Sequence, residues 1–251
     1  MLSLKLTAKH YKLSFRQAFG IAHGTRMFTD TIYVRASFLD QDGYGEAALP
    51  PYLGYDAEKL VADFHTWFPA EMSSGDAITQ TLSRLSSGTE QLPKPLRTAV
   101  DIALYDLFGK LTGRAAGKIF GINESRPVKC SYTLGISSVE DLLSKVSEAA
   151  DFDLFKIKLG GDNDKERIEA FLSSGHTQFC VDANQAWKSV KEAVEWIQWL
   201  AVKGCLFVEQ PLPVDMLSEY ESLFRQSSLP LILDESIQTI RDIQNLRSVC
   251  H

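Results

Sequence analysis

The sequence predicts an α/β protein in two parts: an α+β domain over residues 1–115, then a partial (β/α)8 barrel of the TIM type over residues 127–251. Two observations carry this reading. Before residue 113 a strand-rich start gives way to helical periodicity, whereas after residue 126 short β-rich runs alternate with amphipathic helices. Three of the later runs also end on a carboxylate, each one βα unit from the next, as expected of parallel strands whose ends open on one face.

In the first part, residues 1–15 and 31–48 read as strands. "TIYVRASFL" alternates apolar and polar residues, "DQDGYG" is expected to turn with a glycine at positive φ, and "GEAAL" returns, giving an antiparallel meander. From Asp56 the period becomes helical through "DAEKLVADFHTWF" and "GDAITQTLSRL". A long helix follows in "PKPLRTAVDIALYDLFGKLTG", with Pro93 and Pro95 at its start and Gly113 at its end. In the second part "VKCSYTLGI", "DLFKIKL", "TQFCVDA", "CLFVEQP" and "LPLILDE" read as strands. Between them "SVEDLLSKVSEAA", "NDKERIEAFLSS", "KSVKEAVEWIQWLAVKG" and "DMLSEYESLFRQS" read as helices, an order that implies a parallel sheet with right-handed crossovers.

Composition narrows the function. The 251 residues are 45% apolar, which suits an ordinary soluble protein. A net charge of −6 without any Lys/Arg cluster argues against nucleic-acid and anionic-membrane surfaces. No apolar run reaches the ~18 residues of a spanning helix, and "MLSLKLTAKHYKLSF" alternates where a signal peptide would be basic and then apolar. Cys130, Cys180, Cys205 and Cys250 form no CxxC pair and are expected as free, mostly buried thiols in a reducing cytoplasm. A small-molecule substrate is the default, and a homo-oligomer is compatible with all of this.

The chemistry lies at the strand ends. Asp182 closes "QFCVD", Glu209 closes "LFVE" and Asp234 closes "LILD", roughly 25 residues apart, the length of one βα unit. A lone Asp182 reads equally well as a helix cap, and a lone "KIK" as an exposed edge strand; the regular spacing of all four strand ends is what points to a site. Three converging carboxylates repel unless a cation neutralises them, and an all-oxygen set without histidine favours Mg²⁺ over zinc. Lys156 and Lys158 lie two apart on a strand, so both point to one face, where each is expected to lower the other's pKa and make a usable base. A metal with a lysine base suits removal of a proton α to a carboxylate. Asn184 is expected to cap the following helix, the favoured reading, or to assist Asp182, and the tryptophans Trp187, Trp196 and Trp199 to pack.

As a set, "KIK", "VDANQAW", "VEQPLP" and "LDES" in this order and spacing resemble the enolase superfamily, specifically its muconate-cycloisomerase-like branch. "RTAVDIALYDLFGKLTGRAAGKIFG" resembles the helix and loop that end that family's N-terminal capping domain. The resemblance implies that Asp182, Glu209 and Asp234 are Mg²⁺ ligands, that Lys158 is a catalytic acid/base, and that the catalytic Lys156 supports the substrate carboxylate. "GYGEAALPPYLGYDAE" and "CSYTLGI" look most like dipeptide epimerases of the Ala-Glu type, which implies a racemase or epimerase whose dipeptide touches Thr133. The o-succinylbenzoate synthases and muconate-type cycloisomerases share these residues and stay open, as does a non-catalytic remnant or assembly subunit. The family's barrel has eight strands and a second lysine base after the sixth, whereas five strands are recognisable here. The expectation is part of a longer enzyme, with completion by a second chain or a truncated product as alternatives.

Overall fold

A computed structural model describes residues 3–21, 24–73, 76–87, 92–122 and 128–251. The chain divides into two compact units, one of residues 1–16 with 27–126 and the other of residues 17–26 with 127–251. Among the described residues, no helix is long and apolar enough to cross a membrane.

In the first unit, strands β1 (Leu4–Ile21), β2 (Gly24–Phe38), β3 (Gln41–Leu49) and, after the short helices α1 (Ala57–Ala62) and α2 (Phe64–Trp67), β4 (Glu71–Met72) form a sheet in the order β3-β2-β1-β4. Helices α3 (Ala77–Ser87), α4 (Lys94–Thr112) and α5 (Ala116–Ile119) follow. Alternation along β2 and β3 sends Ile32, Val34, Ala36, Ala47 and Leu49 into a core shared with Leu96, Ala99, Val100, Ala103, Leu104 and Leu107 of α4. Gly113, at φ 65°, ends α4 with its N–H on the last-turn carbonyls, as its place in the sequence predicts.

The turn between β2 and β3 differs from its expectation. Phe38 pairs with Gln41, so the tight turn is Leu39–Asp40, and it is Leu39 that takes the left-handed conformation at φ 56°. Gly43 and Gly45 sit inside β3, for a different reason. A Cβ on Gly45 would stand 2.0 Å from the Ala99 carbonyl oxygen, and one on Gly43 2.2 Å from that of Ala103. The glycines let the backbone of α4 lie directly on the strand. Lys110 then ties helix to strand by donating to Asp106 at 2.7 Å and to the Asp42 carbonyl at 2.8 Å, while the Tyr44 N–H donates to Asp106 at 2.9 Å.

The second unit alternates strand and helix: β5 (Ser131–Leu134), α6 (Val139–Glu148), β6 (Leu154–Lys158), α7 (Asp164–Ser173), β7 (Phe179–Asp182), α8 (Val190–Val202), β8 (Val208–Glu209), α9 (Tyr220–Gln226), β9 (Leu231–Ile232) and α10 (Ile240–Leu246). All four pairings in the order β5-β6-β7-β8-β9 are parallel. Side-chain hydroxyls cap α6, α8 and α10, with Ser138, Ser189 and Thr239 each accepting from the N–H three residues on. One row of the sheet, Phe155, Ile157, Phe179, Val181, Val208 and Leu231, is fully buried in a core with Leu142, Ile168, Phe171, Ile197, Leu200 and Leu223 of the helices. The tryptophans do pack: Trp187 stacks on Trp196 at 5.9 Å, and Trp199 meets Trp196 edge-on.

The contact of β3 with α4 makes an asymmetric prediction. Gly45→Ala must push helix from strand and is expected to cost about 1–3 kcal/mol, as overpacking does. Gly54→Ala, at φ 68° with open space around it, is expected to cost ~1 kcal/mol from backbone strain alone. Urea unfolding of the two variants should rank them in that order.

Candidate active site

Register builds the site. Lys158 pairs with Asp182 and Asp182 with Glu209, so these three side chains lie in one row across β6, β7 and β8 on the face opposite the apolar one. Thr133, Lys156 and Cys180 form the row before it. Asp234 follows β9 by two residues and is exposed.

The Asp182 side chain is fully buried, and its charge is met from two sides. Lys158 donates to Oδ2 at 2.5 Å, and the Lys156 ammonium stands 3.5 Å from the same oxygen. The other oxygen accepts the Asn184 backbone N–H at 2.9 Å. Lys156 also donates to both oxygens of Glu209 at 3.1 Å. Burial pushes the Glu209 carboxyl up from its ordinary pKa, and the like charge of Asp182 adds to it against the pull of Lys156. Lys156 corrects the expectation of a depressed lysine: burial works to lower it, but Glu209 and Asp182 together outweigh burial and hold it above the ordinary value. Repulsion between neighbouring lysines is the weaker effect when two carboxylates stand closer.

Among the described residues, no three His, Cys, Asp or Glu side chains are gathered closely enough to form a metal-holding group. Asp182 and Glu209 are brought together but are paired to lysines, while Asp234 is exposed and adds its like charge to Glu209. The donor set still fits a hard cation: it is all carboxylate oxygen, it sits at neighbouring strand ends, and Asn184 Oδ1 and Glu235 Oε2 are two more buried oxygens beside it without a hydrogen-bond partner.

Asn184 does not cap α8, whose cap is Ser189. Instead, at φ 42°, it turns its N–H back to Asp182 and donates its amide to Glu235 at 3.2 Å. The four cysteines are free, with Cys130 exposed. Burial pushes the Cys180 and Cys205 thiols up to about 12, away from the thiolate that a nucleophile needs.

Sequence reading missed the frame that holds β6. Arg167 of α7 is wholly buried and donates to the carbonyls of Lys158 at 2.9 Å and Gly135 at 2.7 Å, clamping the ends of two strands. Its partner Asp164, at 3.2 Å, also accepts the Gly160 and Gly161 N–H groups. In sequence, an acid and an arginine three apart on a helix look like an ordinary solvated pair; only the glycine pair before them hints that backbone comes close. Burial raises the Asp164 carboxyl despite Arg167, and lowers the Arg167 guanidinium.

Arg167→Met, which strands Asp164 as a buried unpaired carboxylate, is expected to cost about 3–5 kcal/mol. With its pKa raised in the folded state, Asp164 binds its proton more readily folded than unfolded, so its burden falls as pH drops. The variant's deficit in urea unfolding should therefore shrink between neutral pH and pH 4. Arg225→Met, removing an exposed partner of Glu221, should barely move the midpoint.

A family profile described as Enolase C-terminal domain-like matches residues 138–248. The chain is 36% identical over 245 residues to the L-Ala-D/L-Glu epimerase of Bacteroides thetaiotaomicron, an alignment covering 97% of this chain and 64% of that protein. It is 30% identical to the L-Ala-D/L-amino acid epimerase of a Maribacter species, over 96% of this chain and 71% of that protein. It thus spans about two thirds of the length of these relatives. Among solved structures, an enolase family member from Agrobacterium tumefaciens with homology to dipeptide epimerases, bound to sodium and L-Ala-L-Glu, superposes with a TM-score of 0.79 at 26% identity, over 98% of this chain and 73% of that one. Carboxylates and lysines in register at parallel strand ends, together with sequence identity running through both units, make this chain a member of the enolase superfamily.

Proposed function

We propose that the residues on β6 to β9 remove and return, on one face, the proton α to a carboxylate, and that the substrate is a dipeptide of the L-Ala-D/L-Glu kind, whose inversion at the C-terminal residue takes a second base on the opposite face. The observation that carries this reading is the placement of Lys156 and Lys158 on one strand face with Asp182 and Glu209 within 2.5–3.5 Å. The names of the relatives support the substrate class. Asp182, Glu209 and Asp234 are the residues that would hold Mg²⁺. When bound, the ion supplies positive charge opposite a carboxylate that grows more negative as its α-proton leaves.

The two lysines divide the remaining work. Lys158, half of the row that meets Asp182, is the group that takes the α-proton and gives it back. Lys156, held above the ordinary lysine pKa by its two carboxylates, stays an ammonium and pairs with the substrate carboxylate. Thr133, level with Lys156 on the neighbouring strand, would hydrogen-bond the dipeptide backbone. In L-Ala-L-Glu the C-terminal Cα and the side-chain Cγ each stand α to a free carboxylate, but only the Cα is a stereocentre, so that carbon is the one epimerised. Four free cysteines support a reducing, cytoplasmic setting.

The test is deuterium uptake at that carbon of L-Ala-L-Glu, followed by proton NMR in deuterated buffer with Mg²⁺. Uptake should stop in EDTA and return with Mg²⁺. Lys158→Ala, confirmed as folded by circular dichroism, should lose it by about 10²–10⁴-fold, the usual worth of a general base. Lys156→Ala should instead act largely through KM. A folded chain that takes up no deuterium, or a Lys158→Ala variant as fast as the parent, would sink the reading.

A further inference from the structure

The proton chemistry makes no use of Gln210, yet this side chain is wholly buried and among the most heavily bonded in the second unit. It directly follows Glu209, with its backbone in the left-handed region at φ 36°. Its Oε1 accepts two backbone N–H groups, those of Asp234 at 3.0 Å and Ser236 at 3.1 Å. Its Nε2 donates toward Ser236 Oγ at 2.7 Å, the Tyr220 hydroxyl at 3.0 Å and the Leu212 carbonyl at 3.1 Å. Tyr220 is itself pinned, donating to the Leu212 carbonyl at 3.0 Å and accepting the Leu212 N–H at 3.2 Å. Gln210 also donates its own N–H to Ile232 at 2.9 Å and accepts that of Gln185 at 2.8 Å.

An amide has one oxygen with two lone pairs and two N–H donors. Here the oxygen is spent wholly on the segment that carries Asp234, and the nitrogen on an anchor built from Leu212, Tyr220 and Ser236. Asp234 is exposed, and the fold grips it by its backbone. We propose that Gln210 is a positioning residue of the cation site: by holding residues 234–236 it fixes where the Asp234 carboxylate stands relative to Glu209, and so sets how tightly the site takes a divalent cation. This rests on the reading of Asp182, Glu209 and Asp234 as the ligands.

Isothermal titration of Mg²⁺ into the 251-residue chain tests it, beside thermal melts in EDTA. Gln210→Met keeps the length of the side chain but can neither accept from residues 234 and 236 nor donate. It is expected to raise the Kd for Mg²⁺ at least tenfold. Gly45→Ala, destabilised in the other unit, should bind as the parent does, which separates positioning from general loss of stability. If Gln210→Met melts early but binds Mg²⁺ like the parent, the role is structural only and the proposal is overturned. If Gln210→Met fails to fold, Tyr220→Phe, which removes an anchor of the amide, is read in its place: a Kd at least threefold weaker supports the proposal and an unchanged one overturns it. Asp234→Asn is run in parallel. Unchanged affinity in that variant, or no Mg²⁺ heat from the parent, defeats the ligand reading itself, whereas a weakened Asp234→Asn beside an unchanged Gln210→Met defeats only the role of Gln210.

Discussion

The second unit is organised around the buried charge of Asp182. Taking a carboxylate out of water costs several kcal/mol unless partners replace the lost solvation, and Asp182 is fully enclosed. Its replacement partners are the two lysines of β6 and the Asn184 N–H. That requirement fixes the register of β6 on β7, because a slip of one residue would turn both lysines toward the apolar helices and leave the carboxylate alone. It also explains the frame behind the strands. Arg167 holds the carbonyl of Lys158 from below, so the ammonium that answers Asp182 is tethered at both ends.

Much of this was legible in the sequence because it is written in short-range pattern. Period-two alternation in "FKIK" and "FCVD", the regular recurrence of acidic strand ends, and proline and glycine at the borders of α4 each report on neighbours within a few positions. The failures share the opposite property. The glycines of "DGYG" looked like turn residues, yet their reason is a helix about 60 residues on, while a leucine without turn character made the turn. Asn184 looked like a cap because caps are local, yet its amide reaches Glu235, 51 residues away. Lys156 was expected low because repulsion by Lys158 and desolvation were given more weight than the carboxylates facing it. Distances to Glu209 and Asp182 decide its charge, and no pattern in the chain carries a distance.

The backbone bears the same mark. Of the described non-glycine residues with positive φ, three are Asn184, Gln185 and Gln210, all just beyond β7 and β8. Each such residue costs of order 1–3 kcal/mol and persists only where its surroundings fix it. Here the fixing contacts are visible: Asp182 and Glu235 on Asn184, Val214 and Glu235 on Gln185, and the Asp234–Ser236 backbone on Gln210. Strain and polar bonding in the second unit are thus concentrated where the strands end.

The alternation of the sheet has a consequence for how such a protein can change over generations. Along β6 and β7, successive residues answer to different masters: Phe155, Ile157, Phe179 and Val181 to the helices, and Lys156, Lys158 and Asp182 to one another. The two sets touch different surroundings although they share one backbone. A lineage can therefore rewrite the polar set, exchanging one reaction for another, while the apolar set keeps the architecture intact, so that inheritance of the scaffold and invention at its rim proceed on separate accounts.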